Sequence, residues 1–323
     1  MQIIRTGLAA GLATLIAAGS TSAAAPSSTQ QDDLTQERPS FTAEVQVVLH
    51  SVAVLDRNGD PVRGLQRDDF AVYEDEDKQE ISVFLSPEDS PLDIAAVIDS
   101  SASLSQHARL VRLAARSFFT QLEPLDCVYL LPFNDEIGPG FWDRGLLMAQ
   151  KTGGIFMQGG TALYDAIIEG MGVLNRTIPT EPSETGCGRA ITMTEPGRPD
   201  RRRAVVLMTD GADQNSQRRY DEVLDVADAT AIPIFPVLHG ESQRNDRLRL
   251  LLERLASETG GATVDALGPT QLEQAFADVV VLLRASYLIG YLPPEGDDRE
   301  QERAVRVRSR PGYRLVYRPT YWR

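Results

Sequence analysis

The chain has 323 residues and a formal net charge of −14, with 42% hydrophobic and 24% charged residues. That apolar mass supports a sizeable core and excludes a disordered or fibrous chain. A phosphate backbone demands a basic face, so the acidic balance excludes nucleic acid as the partner.

The first 25 residues, MQIIRTGLAAGLATLIAAGSTSAAA, place Arg5 before an apolar run from Gly7 to Gly19 and then small residues, the order of a secretory signal peptide. The polar stretch PSSTQQDDLTQERPS (26–40) reads as a flexible linker. The apolar run is short for a bilayer, and the best later candidate, FADVVVLLRASYLIGYL (276–292), contains Asp278 and Arg284. The expectation is an exported protein, periplasmic or extracellular, with no membrane span in the mature chain.

From Phe41 apolar and polar residues alternate: FTAEVQVVLHSVAVLD, the Asn58–Gly59 turn, DFAVYED and QEISVFL, predicting N-terminal strands over 41–88 joined by hairpins. DRNGDP (56–61) superficially suggests a calcium loop, but it lacks the glycine and distal glutamate of one and reads as a turn. The acidic runs DDFAVYEDEDKQE (68–80) and EGDDREQE (295–302) read as solvated loops and edge strands.

Residues 89–284 change character. The strands LDIAAVID, DCVYLLPF, RAVVLMTD and IPIFPVLHG are nearly continuous apolar runs. Between them lie segments of helical period: ARLVRLAARSFFTQL, ALYDAIIEGMGVLNR, RYDEVLDVADATA, RLRLLLERLASETG and QLEQAFADVVVLLR. This alternation predicts a doubly wound, mostly parallel α/β sheet covered on both faces. The stretch 177–202 reads as a long polar insertion.

Period two returns over 285–323 in SYLIGYLPP, AVRVRSR and YRLVYRPTYW. Such strands cannot extend a parallel sheet without crossover helices. They are expected to pair with the 41–88 strands in an antiparallel β-sandwich into which the α/β domain is inserted. Two cysteines in an exported chain allow one disulfide. Cys127 sits in the apolar run CVYLLPF and Cys187 in a Pro/Gly/Thr-rich loop, which favours two unpaired thiols.

Three polar clusters fall at strand ends or helix starts, where doubly wound sheets place their functional crevice. Asp99, Ser101 and Ser103 form D-x-S-x-S, Thr161 follows two glycines at a helix start, and Asp210 lies in TDG after an apolar strand. Two carboxylates and three hydroxyls make an all-oxygen set suited to a hard cation such as Mg²⁺, with Mn²⁺ as the related ion. Read without a metal, Asp99 and Asp210 cap the segments that follow and Thr161 is an N-cap.

In order, type and context these five positions resemble the metal-ion-dependent adhesion site of the von Willebrand factor A domain, and the resemblance covers roughly 92–284. The flanking strands resemble bacterial secreted proteins built around that domain. The resemblance implies that Ser101, Ser103 and Thr161 bind the metal by hydroxyl oxygen, and that Asp99 and Asp210 contact it directly or through water. It further implies that a partner's Asp or Glu completes the shell.

Enzyme signatures are weak. GGIFMQGGT (153–161) has the glycines of a phosphate loop without its lysine, there is no G-x-S-x-G elbow, and His50, His107 and His239 are scattered over different segments. Asp213 is the extra carboxylate near the site, read as supporting it. The expectation is a non-enzymatic, exported, metal-dependent protein-binding module. The alternatives are a structural subunit of an envelope assembly and, less favoured, a metal-assisted hydrolase.

Overall fold

The computed structural model describes residues 47–176, 186–187, 193–195, 198–199, 201–266, 268, 271–293 and 301–322. The chain divides into Met1–Ala43 and Glu44–Arg323, and every described residue belongs to the second unit. The expected signal peptide and linker, the first residues of the 41–88 region and most of the 177–202 insertion lie outside the described residues.

Four strands open the described chain: β1 (Val48–Leu55), β2 (Ala71–Glu74), β3 (Asp77–Gln79) and β4 (Ile81–Leu85). The α/β layer begins with β5 (Leu92–Asp99), α1 (Ala108–Thr120), β6 (Cys127–Phe133), β7 (Phe141–Arg144), α2 (Gly145–Lys151) and α3 (Leu163–Leu174). A short hairpin, β8 (Met193–Glu195) and β9 (Arg198–Pro199), precedes β10 (Arg202–Thr209), α4 (Tyr220–Thr230), β11 (Ile234–Leu238) and α5 (Glu241–Arg244). Then come α6 (Asp246–Thr259), β12 (Val264–Asp265) and α7 (Leu272–Ala285). The last strands are β13 (Ser286–Tyr291), β14 (Glu302–Arg308), β15 (Arg314–Val316) and β16 (Thr320–Trp322).

The central sheet runs β12-β11-β10-β5-β6-β7, parallel except for the edge strand β7, which returns antiparallel along β6. β7 and α2 were not expected from the sequence; FWDR is short and its apolar residues show no extended run. Residues 94–98 of β5 are fully buried because helices cover both faces. Ile94, Ala96 and Ile98 pack with residues of α1, α2 and α7, whereas Ala95 and Val97 pack with residues of α3, α4 and α6. Each helix supplies an apolar stripe, as in α1, where Val111, Ala114, Ala115, Phe118 and Phe119 are buried at three-and-four spacing. α6 shows how the ends are set: Asn245 accepts from the N–H groups of Arg247 and Leu248, and Gly260 closes the helix in the left-handed region.

The N- and C-terminal strands interleave in two antiparallel sheets, β15-β1-β13-β4 and β16-β14-β2-β3. Val52 is opposite Tyr287 across β1 and β13, and Val307 is opposite Val72 across β14 and β2. The inner faces share one core containing Val52, Val54, Val72, Tyr287, Ile289, Val305 and Val307. The alternate residues of β1, Ala53 and Leu55, join the core that α7 shares with the central sheet. The first antiparallel sheet is therefore packed on both sides, and the second lies outermost. YRLVYRPTYW, read as one segment, divides into two strands on different sheets, β15 beside β1 and β16 beside β14. The chain turns at Pro319, which has no N–H to continue a ladder.

One buried side chain ties the sandwich to the α/β layer. The Arg202 guanidinium donates to the carbonyls of Pro87, Ser90, Leu283 and Ser286, spanning both chain crossings between the two parts. Beside it Arg284 pairs with the fully buried Asp126, whose carboxylate also accepts from the backbone of Leu92 and Glu123 at 2.9 Å. These contacts lie at the amino ends of β5 and β10, so the carboxyl end of β5 is about 23 Å away, at about 3.3 Å per residue over the seven steps from Leu92 to Asp99.

The expectation of two free thiols is overturned: Cys127 and Cys187 form a disulfide across 60 residues, with Cα atoms 5.6 Å apart. Cys127 is the first residue of β6, and Cys187 meets it there, a meeting that local composition does not encode. A disulfide fits an exported protein, since such bonds persist in oxidising compartments.

Candidate functional site

β5 and β10 are neighbours whose following segments lead to opposite faces of the sheet, α1 to one and α4 to the other. The sheet opens at such a switch point. Asp99 ends β5 and Thr209 ends β10, so D-x-S-x-S and TDG face each other across this crevice. The third segment, 155–161, enters from the side: Ala102 N–H donates to the Gly159 carbonyl at 3.1 Å, and Gln158 N–H donates to the Ser100 carbonyl at 2.7 Å.

The structure brings the five singled-out residues to one place. Ser101 N–H donates to Asp99 Oδ1 at 2.8 Å, the hydroxyls of Ser101 and Ser103 are 2.9 Å apart, and Ser103 Oγ donates to Asp210 Oδ1 at 2.9 Å. Thr209 Oγ1 donates to Asp99 Oδ2 at 2.7 Å. Thr161 is buried and its hydroxyl lies across from Gly211, where an added Cβ would stand 3.8 Å from Thr161 Oγ1. Asp99 is wholly buried, and burial pushes its carboxyl above the usual range against the opposing pull of the Ser101 and Thr209 hydrogen bonds. No ion pair to Asp99 occurs among the described residues.

Thr161 is held through partners the sequence reading did not name. Its N–H donates to Asn215 Oδ1 at 3.2 Å, while its carbonyl accepts from the N–H groups of Gln214 and Asn215. Gly159, at φ +69°, and Gly160 permit this: a Cβ would collide with Asp135 at the first and with Asn215 at the second. Asp213 caps α3 from the neighbouring loop, its Oδ1 accepting from Leu163 N–H at 2.8 Å, and Ser216 Oγ accepts from Tyr164 N–H at 2.9 Å. α3 has no capping side chain of its own. Ser216 follows Asp213 in a loop whose polarity was its only signal in the sequence.

The histidines read as scattered are not all apart. His107 and His239 meet edge to face with ring centroids 5.4 Å apart, and burial, followed by His107, holds His239 below its ordinary pKa. His50 lies in the sandwich, stacked on Tyr291.

Among the described residues, no group of three or more His, Cys, Asp and Glu forms a metal-holding cluster. The donor set to test is therefore two carboxylates with hydroxyls. Adjacent oxygens of an Mg²⁺ octahedron with bonds of about 2.05 Å stand about 2.9 Å apart. The Ser101–Ser103 and Ser103–Asp210 oxygen separations, both 2.9 Å, have that spacing. The two carboxylates and the hydroxyls are of the type a hard divalent cation takes, while separations of 2.9 Å are equally those of the hydrogen bonds these oxygens make with one another.

No family model matches the chain, and no curated protein matches it. Among solved structures, it is similar to a von Willebrand factor type A protein from Catenulispora acidiphila, at 12% identity and TM-score 0.45, over 86% of this chain and 75% of that one. It is similar to proximal thread matrix protein 1 from the mussel byssus at 13% identity and TM-score 0.45, over 61% of this chain and 49% of the other. A third is the PilB minor pilin from Streptococcus sanguinis, at 12% identity and TM-score 0.40, over 61% of this chain and 62% of that one.

Proposed function

We propose that the chain is an exported, non-enzymatic protein-binding module of the von Willebrand factor A type. In this reading Ser101, Ser103 and Thr161 hold Mg²⁺ or Mn²⁺ by hydroxyl oxygen, and Asp99 and Asp210 hold it directly or through water. The bound cation would supply a Lewis-acidic coordination position for an Asp or Glu carboxylate of the partner. The observation that carries the reading is the continuous line of oxygens from Ser101 through Ser103 to Asp210, drawn from two strands that are neighbours only in space.

The protein's own part is positional. Asp99 orients the D-x-S-x-S turn by accepting from Ser101 N–H and is itself oriented by Thr209. Asn215 fixes the backbone of Thr161. Ser103 bridges the turn after β5 to Asp210, so neither segment can shift alone.

The test is recovery of bound proteins from the native environment of the chain, in magnesium, in EDTA, and with Asp99→Ala. A partner retained by the native chain in magnesium and lost in both other arms is the expected result. Identical sets of proteins in the three arms would sink the adhesive reading.

A further inference from the structure

Arg202 and Arg203 stand side by side at the amino end of β10 and serve opposite faces of the sheet. Arg202 is taken up by the carbonyls that join the two parts of the fold. Arg203 shares its face with Val205 and Leu207, on the side of α3 and α4. Its guanidinium donates to Asn175 Oδ1 at 2.8 Å, just past α3, and to the Thr230 carbonyl at 3.1 Å, at the end of α4. Both acceptors are neutral, and they take two of its five N–H groups. No carboxylate pairs with Arg203 among the described residues, and Asp93, opposite it on β5, is held by Arg201. Burial pushes the Arg203 pKa down to about 10 against the pull of Asp93, which leaves the group charged at neutral pH.

Arg203, Asn175 and Thr230 together line a cavity of about 460 Å³ between β1 and α4. Sites for small organic ligands have volumes of about 300 to 1,000 Å³ and favour the junctions between parts of a fold. Val48 and Leu49 of β1, with Ala229 and Ala231 at the end of α4, supply apolar wall, and the Trp322 indole, 62% exposed, stands with them. The other charges at this cavity are paired or wet: Arg318 meets Asp228, and Asp225 is exposed to solvent. Among the described residues, Arg203 is therefore the cation there that is withdrawn from water without an anion. The cavity lies at the end of β10 opposite to Asp210, so it is separate from the candidate metal centre.

We propose that this cavity binds a small amphipathic monocarboxylate, its carboxylate on the remaining N–H groups of Arg203 and its apolar body against Leu49, Ala229 and Trp322. A planar guanidinium fork matches the two oxygens of a carboxylate, and Asn175 and Thr230 already hold the fork in place. An anion gains more from a half-buried cation than from one in bulk water, because the local dielectric is lower. Asp225 and Asp228 border the same cavity and repel a second negative charge, which makes a phosphate dianion the poorer occupant. The apolar wall selects further: an inorganic anion would leave it wet, whereas an aromatic or aliphatic body removes it from water.

The test is calorimetric titration of the full chain with naphthoate and with its uncharged analogue naphthamide, in EDTA so that the candidate metal centre takes no part. Naphthoate is expected to bind at one site with a Kd of about 1 mM or tighter, the floor for a ligand of its size. Naphthamide should bind roughly 10- to 100-fold more weakly, the worth of a hydrogen bond to a charged group. Arg203→Gln should bring naphthoate down to the level of naphthamide, with Arg203→Lys between the two. Ala229 is exposed on α4 at the cavity wall, so Ala229→Trp fills the space without disturbing the core and should abolish binding of both compounds. Inorganic phosphate should not displace naphthoate. Absence of saturable naphthoate binding, or equal affinity for naphthamide, overturns the proposal. Native affinity in an Ala229→Trp chain of unchanged urea midpoint also overturns it, as does displacement of naphthoate by phosphate at equal concentration, which would assign Arg203 to simple anions.

Discussion

Ser103 Oγ donates to Asp210 Oδ1 at 2.9 Å across 107 positions of sequence, joining the turn after β5 to the turn after β10. Two carboxylates converging on these hydroxyls favour a cation that binds the folded state and not the unfolded one. Free Mg²⁺ or Mn²⁺ at about 100 times its dissociation constant should stabilise the chain by about 2.7 kcal/mol, a rise in Tm of roughly 5 to 10 °C. Asp99→Ala or Asp210→Ala should abolish the rise, and Ser103→Ala should reduce it. Scanning calorimetry with and without metal, together with metal titration of the native and Asp210→Ala chains, decides this. Indistinguishable heats would leave D-x-S-x-S as a capping turn.

Asp213 satisfies the exposed end of a helix to which it does not belong. Loss of a capping acceptor costs about 1 kcal/mol, up to about 2, so Asp213→Ala should lower the urea midpoint accordingly, with Asp213→Asn close to native. Because Thr161 immediately precedes this helix turn, Asp213→Ala should also weaken the metal-dependent rise in Tm without abolishing it. A full native rise in that variant would separate the cap from the site.

His50 is buried against Tyr291 and Tyr321, and neither ring nitrogen has a hydrogen-bond partner among the described residues. Burial, and then the charge of Arg318, lower its pKa from the ordinary 6.5 to about 3. A depressed histidine pKa means that the unfolded chain takes up a proton the folded chain refuses. Stability from this group is complete above the ordinary pKa and is lost as pH falls from there towards the folded value, by up to about 1.4 kcal/mol per pH unit. Between about pH 7 and about pH 5 the loss is roughly 2 kcal/mol. His50→Phe should flatten that part of the profile, read from urea midpoints at both pH values; an unchanged slope would clear His50 of the effect.

Arg202 gathers carbonyls from both crossings between the sandwich and the α/β layer. Arg202→Met leaves several buried acceptors without a donor, at about 1 to 3 kcal/mol each before relaxation, so a loss of at least about 3 kcal/mol is expected. Calorimetry should then resolve two transitions in place of one, because the two parts no longer unfold together. Arg202→Lys, with fewer donors, should fall between. A single native-like transition in the Met variant would show that the packing of α7 on β1 couples the parts unaided.

The buried strands, the helices between them and the period-two strands at both ends were legible in the sequence because each is a local pattern. An apolar run such as IAAVI has no exposed face to serve, and AVRVRSR needs one buried face and one wet one. The candidate site was legible for the same reason: D-x-S-x-S, GGT and TDG each sit where an element starts or stops, and the ends of doubly wound strands converge.

What local pattern could not decide was which distant segments meet. Cys127 and Cys187 have unlike surroundings in sequence, and only the folded chain brings Cys187 to the start of β6 and makes them a pair. His107 and His239, scattered along the chain, come into ring contact, and Asn215 and Asp213 find Thr161 and α3 through the loop after β10. YRLVYRPTYW carries one alternation, yet its halves serve different sheets because the partner strands already occupy different layers. Side-chain periodicity specifies which face of an element is buried; its neighbour is specified only when the whole core is assembled, since that choice rests on complementary surfaces far apart in the chain.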